Sequence, residues 1–171
     1  MDKQVPCRMP KEQYPVTAAI RFLREKRIAF VPHLYPYEEH GGTHHAAAML
    51  NVAEHAVIKT LVMETDTHTP LLVLMHGDRE VSTRQLARSI GARHVEPCPI
   101  ATAQKYTGYL VGGISPFGTR TKLPTYVEAT IFTLDRIYIN GGKRGFLIEL
   151  APQVLRTALD AQEVNVAIEP S

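Results

Sequence analysis

Short apolar runs of strand length are interleaved irregularly with amphipathic helical stretches along this chain, and that order restricts its fold more than any other feature. Residues 57–64 and 71–76 are strongly apolar and joined by Thr-Asp-Thr-His-Thr-Pro at 65–70, so they read as a hairpin of buried strands. Further strands are expected at 28–35, 126–132, 136–140, 146–150 and 164–168. Ala19, Ile20, Phe22 and Leu23 recur at helical spacing within 16–27, behind a capping Thr17. Thr43 and Asn51 bracket an alanine-rich helix at 43–51, and Ser82 and Gly91 bracket another at 82–90. Two more are expected at 100–106 and 152–159, the last opened by Pro152. A doubly wound fold needs regular strand–helix alternation, and here strands outnumber helices. The expectation is an α+β (mixed α/β) fold, a curved mixed sheet with helices packed outside it.

At 171 residues the chain suits one domain, expected over 15–171 behind a loose segment at 1–14. No apolar run approaches the roughly 18–20 residues that cross a bilayer. The first ten residues also lack the apolar block of a secretory signal, so the expected location is cytoplasmic. Of the two cysteines, Cys7 lies in the loose segment and Cys98 sits between Pro97 and Pro99, so neither a disulfide nor a metal pair is expected. A net charge of +2 is too small to indicate nucleic-acid binding by itself. Basic residues do gather locally. Arg21, Arg24, Lys26 and Arg27 read as a solvated helix surface, whereas Arg120, Lys122, Lys143 and Arg144 flank two glycine-rich turns.

Those turns, Thr-Gly-Tyr-Leu-Val-Gly-Gly-Ile-Ser-Pro-Phe-Gly at 107–118 and Asn-Gly-Gly-Lys-Arg-Gly at 140–145, carry the strongest chemical signal. Gly112 and Gly113 let main-chain N–H groups approach a ligand with no Cβ in the way, and the Ser115-Pro116 step stiffens the turn. Glycine pairs also serve as plain strand connections. Opposite a cation, however, N–H donors held about 3 Å from a developing oxyanion are what ester cleavage needs. Lys59, inside an apolar strand, must either point out of the sheet or be held at a polar pocket. No Gly-x-Ser-x-Gly elbow, paired carboxylates in a glycine-rich setting or Cys–His arrangement is present, so no activated protein nucleophile is expected. His40, His44, His45 and His55 are close in sequence, but His44 and His45 point about 100° apart on a helix and show no His-Glu-x-x-His spacing. Neither a metal nor another cofactor is expected.

Five blocks occur in order: Ile-Lys-Thr-Leu at 58–61, Leu-Ala-Arg-Ser-Ile-Gly-Ala at 86–92, the glycine turn at 107–116, Lys-Leu-Pro-Thr at 122–125 and Gly-Gly-Lys-Arg-Gly at 141–145. Together they resemble the YbaK/EbsC-type aminoacyl-tRNA deacylases, relatives of the editing domain of bacterial prolyl-tRNA synthetases, over about residues 17–167. The resemblance implies a barrel-like sheet and a trans-editing deacylase that hydrolyses mischarged tRNA, of the Cys-tRNA(Pro) kind or with another small amino acid. Its mechanism would be substrate-assisted; in cysteine-specific relatives the substrate thiol attacks its own ester, a lyase-type step. In that family a lysine followed by threonine is the residue most closely tied to activity. Lys59 is therefore the catalytic candidate, with Gly112 and Gly113 as backbone donors. Thr60, Tyr35, Ile114, Ser115 and Pro116 are implied as substrate-binding positions, together with Asn140, Gly141, Gly142 and Leu147.

Cysteine-editing members carry serine where this chain has Asn140 and aspartate where it has Leu147, and their aromatic before the second helix is replaced by the Gly41-Gly42-Thr43 neighbourhood. Preference is therefore expected to move away from strict cysteine selection. The implied partner is aminoacyl-tRNA, through its 3′ CCA end, with prolyl-tRNA synthetase a further candidate; monomer and homodimer are both open. Two other readings stand beside this one. The first is a non-catalytic tRNA or nucleotide-binding module on the same fold, and the second is a small-molecule esterase or metal-dependent hydrolase.

Overall fold

The β2 (Val57–Thr65) and β3 (Pro70–His76) strands form the expected antiparallel hairpin, with Ile58 opposite His76 and Glu64 opposite Pro70. The structure, a computed structural model, describes residues 13–171, so Cys7 and nearly all of the segment expected to be loose lie outside it. Ahead of the hairpin come α1 (Ala18–Glu25), β1 (Val31–Leu34) and α2 (Gly42–Leu50). After it follow β4 (Glu80–Val81), α3 (Thr83–Ile90), β5 (Val95–Pro97), α4 (Ile100–Thr107) and β6 (Thr125–Glu128). The chain ends with β7 (Ile137–Lys143), β8 (Phe146–Leu150), α5 (Val154–Leu159), β9 (Gln162–Val164) and β10 (Ala167–Ile168).

The main sheet is mixed and eight-stranded, in the order β1-β8-β7-β2-β3-β6-β9, with β5 also pairing to β2. Successive strand residues point to opposite faces, and both faces of the central strands are apolar. Ile58, Leu74, Ile139 and Ile148 meet Ala19, Ile20 and Leu23 of α1 in one core. On the other face Met63, Val73 and Met75 meet Leu86 and Ala87 of α3. Ala46 and Ala47 of α2 pack on Val57 and Leu147. No helix among the described residues is long and apolar enough to cross a membrane.

Helix signals read from the sequence hold where a side chain caps the helix directly. Thr17 accepts from the Ile20 N–H and Ser82 from the Gln85 N–H, while Gly91 and Asn51 close their helices in the left-handed conformation. Thr43 does not cap α2. Its hydroxyl donates to the Glu54 carboxylate at 2.9 Å and lies 3.2 Å from the Gly77 carbonyl, leaving Gly41 as the N-cap. Pro152 precedes α5 instead of opening it, since Gln153 is the cap. The run at 126–132 is strand only to Glu128, because a 3-10 turn over Ala129–Thr133 then buries Ile131. The run at 164–168 splits between two sheets, and at the break the Glu128 carboxylate accepts from the Val166 and Ala167 N–H groups at 2.8 and 3.0 Å. The strands β4 and β5 carry no apolar run long enough to be read from sequence.

One topological detail positions the site. Strand β7 pairs with β2 only at Val57 and Ile58, and β5 only from Met63 onward. Between those contacts Lys59, Thr60 and Leu61 have a strand partner on the β3 side alone, so the sheet forks there.

Candidate functional site

A cavity of 520 Å³ opens at this fork. Its walls come from β2 (Lys59, Thr60), the loop before α2, α4 (Ile100, Gln104), the first glycine turn and the β7–β8 hairpin. Lys59 is half-buried and makes no ion pair or hydrogen bond among the described residues. Burial pushes its ammonium below the ordinary lysine pKa, opposed by the charges of Glu80, Glu54 and Asp78. On the same strand the Thr60 hydroxyl oxygen is fully buried and, among the described residues, is the one such side-chain atom with no partner.

The first glycine turn is locked from behind. Arg144 Nε donates to the Val111 carbonyl at 2.9 Å, Asn140 Nδ2 donates to the Gly112 carbonyl at 3.2 Å, and the Gly113 N–H is used within the turn, donating to Leu110. In a trans peptide the C=O and the following N–H point opposite ways. Turning the Val111 carbonyl toward Arg144 therefore turns the Gly112 N–H away from it, and that N–H has no partner among the described residues. Gly112 has φ +93°, and a Cβ there would lie 2.7 Å from the Tyr37 hydroxyl oxygen. A Cβ on Gly113 would lie 2.8 Å from the Arg144 backbone nitrogen, so the two glycine turns touch main chain to main chain.

Asn140 also holds its own turn, Oδ1 accepting from the Gly142 and Lys143 N–H groups at 2.6 and 3.1 Å. Tyr35 and Leu147 form the wall beside α2. Burial raises the Tyr35 phenol, and Leu147 is buried against Val57 and Ala46.

Similarity to known proteins agrees with this geometry. The model of the aminoacyl-tRNA editing domain matches residues 39–158, a span holding Lys59, both glycine turns and Leu147. The chain belongs to the aminoacyl-tRNA editing domain family. It is 28% identical over 157 residues, 91% of this chain and 96% of the other, to the Enterococcus faecalis protein named "Putative Cys-tRNA(Pro)/Cys-tRNA(Cys) deacylase EbsC". It is 39% identical over 100 residues to a proline–tRNA ligase of Streptococcus equi subsp. equi, matching 58% of this chain but only 16% of that enzyme. Among solved structures, "hypothetical protein APE2540" superposes with a TM-score of 0.81 at 21% identity, covering 89% of this chain and all of the other. A "putative trans-editing enzyme for prolyl tRNA synthetase" superposes with a TM-score of 0.78 at 20% identity, covering 91% and 99%. These two establish the mixed fold expected from the sequence.

Within this editing domain the expected site residues divide. Lys59, Thr60, Gly112, Ile114, Tyr35, Asn140 and Leu147 line the cavity. Gly113, Ser115, Pro116, Gly141 and Gly142 do not. Ser115 is wholly buried and its Oγ accepts from the Phe117 N–H, while Gly141 offers its carbonyl to Thr17. They build the turns that aim Gly112 and Asn140. Sequence reasoning did not find Tyr37 and Glu38, loop residues that carry no periodic signal, nor His45 of α2 and Gln104 of α4, whose place in the wall is set by how those helices pack.

Among the described residues one group has metal-like proximity, His55, His76 and Asp78. The two imidazoles are stacked, centroids 3.7 Å apart and planes 8° from parallel, so their in-plane lone pairs cannot converge on one ion. Both His76 nitrogens are also occupied, by the His55 carbonyl and the Thr130 hydroxyl, and His55 Nδ1 by Asp78.

Proposed function

We propose that this chain is a trans-editing deacylase that hydrolyses the ester of a tRNA mischarged with a small amino acid, acting in the cytoplasm on the 3′ CCA end. One observation supports the reading above others: Lys59 and Gly112, whose ammonium and N–H have no partner among the described residues, line one cavity at the sheet fork. The Gly112 N–H is placed to donate to the oxygen that becomes negative as the ester carbonyl is attacked, and a donor of this kind is worth roughly 3 kcal/mol of barrier. Lys59 supplies positive charge to the ester or to the terminal phosphate. Attack comes from water or a ribose hydroxyl held in place, since an aminoacyl ester is reactive enough to need orientation more than covalent help. Leu147, Val57 and Ala46 give the amino-acid side an apolar wall, which disfavours selection by a thiol or hydroxyl and favours hydrolysis over a lyase-type step.

Purified protein is offered alanyl-, cysteinyl-, seryl- and prolyl-tRNA(Pro), with and without prolyl-tRNA synthetase. Release of alanine, cysteine or serine ahead of proline is expected. Turnover of none of the four contradicts the reading.

A further inference from the structure

We infer that Glu38 is the subsite for the substrate's α-ammonium group, a specificity residue that acts through a charge held in place by His45. The inference rests on the deacylase reading and adds the group by which the amino acid itself is recognised.

Of the side chains lining the cavity, two are acidic, Glu38 and Glu39. Glu39 is 84% exposed and faces only His40, itself 92% exposed, so its carboxylate is solvated. Glu38 is anchored. Its Oε2 lies 3.1 Å from Nδ1 of His45, whose ring is only 17% exposed. The other ring nitrogen of His45 is 2.7 Å from the Pro36 carbonyl, and its ring meets Tyr35 edge-on with centroids 6.0 Å apart. The Gly41 N–H donates back to the Glu38 carbonyl at 3.0 Å, and a Cβ on Gly41 would lie 2.7 Å from the His45 Cβ. Glu38, though 67% exposed, is thus tethered at Oε2, and its second oxygen, Oε1, has no partner among the described residues.

The cations Lys59 and Arg144 line the same cavity, Arg144 with its guanidinium 5.5 Å from the Tyr37 ring centroid. An aminoacyl-nucleotide end has one cationic group, the α-ammonium, and several anionic or electron-rich ones. A cavity lined by one tethered anion and two cations offers a partner to each kind of group. Leu147 leaves the wall beside α2 without a carboxylate of its own, so Glu38 is the anion that remains.

The test uses two substrates that differ only at the α-nitrogen: whichever of alanyl-, cysteinyl- or seryl-tRNA(Pro) is cleaved, and its N-acetyl derivative. Wild-type protein should prefer the free amine. Glu38→Gln, which keeps the side-chain size and removes the charge, should raise KM for the free amine by about tenfold or more. It should slow the N-acetyl ester far less than the free amine and so collapse the preference. Glu38→Asp, retaining the charge, should keep a measurable preference. A folded Glu38→Gln variant with the full wild-type preference overturns the inference, as does a wild-type protein that cleaves both esters equally. A wild-type protein that cleaves neither ester overturns the deacylase reading, and this inference with it.

Discussion

Replacing Asn140 by aspartate retains two hydrogen bonds of this side chain and removes the third. The acceptor Oδ1 that holds the Gly142 and Lys143 N–H groups survives, whereas the donor that reaches the Gly112 carbonyl at 3.2 Å becomes an oxygen facing an oxygen. Loss of one partly exposed hydrogen bond costs about 0.5–1.5 kcal/mol, and repulsion between the oxygens adds a similar amount. A total of about 1–3 kcal/mol corresponds to a fall in melting temperature of about 2–12 °C for a chain of this length. The effect on activity should be larger than that on stability. The lost tether orients the peptide next to the free Gly112 N–H, and displacing a reacting group by about 1 Å can cost about a hundredfold in rate. Single-turnover release of amino acid from aminoacyl-tRNA should fall about tenfold to a hundredfold in kcat with KM nearly unchanged. An unchanged kcat alongside the expected drop in melting temperature would refute the idea that Asn140 aims the turn.

Two other outcomes follow from the same geometry. Burial lowers the Lys59 pKa from 10.5 despite the opposing charges of Glu80, Glu54 and Asp78, so a rate that needs its ammonium should decline on the alkaline side before an ordinary lysine would titrate. In the window between the folded and unfolded values the unfolded chain binds more protons, so this lysine makes stability rise with pH there. A pH–rate profile corrected for spontaneous ester loss should show the decline in wild type and not in Lys59→Arg, whose guanidinium does not titrate in that range; identical profiles would remove Lys59 from the chemistry. Gly113→Ala places a Cβ 2.8 Å from the Arg144 nitrogen and 2.9 Å from the Lys143 carbonyl carbon, main-chain atoms that cannot swing away. It should destabilise the fold by about 1–3 kcal/mol in denaturant unfolding, and a neutral result would show that the two turns can separate freely.

The order of apolar runs was enough to anticipate the hairpin of β2 and β3, all five helices to within a residue or two at each end, and the mixed character of the sheet. These elements depend on local periodicity and on caps such as Thr17 and Ser82, which act within one turn of helix. What escaped was set at long range. Thr43 has a capping residue's identity, but its hydroxyl is taken by Glu54 and Gly77, and the run at 164–168 breaks because a carboxylate from β6 claims its N–H groups. The site divides in the same way. Lys59 was conspicuous as a charge inside an apolar strand, and Gly112 as half of a glycine pair. That Asn140 spends its amide on both turns, and that Glu38 from the loop before α2 and His45 from α2 itself enter the cavity, depends on contacts no spacing encodes.

A structure of the protein bound to 3′-deoxy-3′-(alanylamino)adenosine, whose amide replaces the labile ester, tests the shared cavity most directly. The account predicts the alanyl carbonyl oxygen within about 3 Å of the Gly112 nitrogen, with the Lys59 ammonium against the ribose or phosphate side of the same ligand. An analogue bound outside the fork, or one seated there with its carbonyl turned from Gly112 and Lys59 untouched, would contradict it.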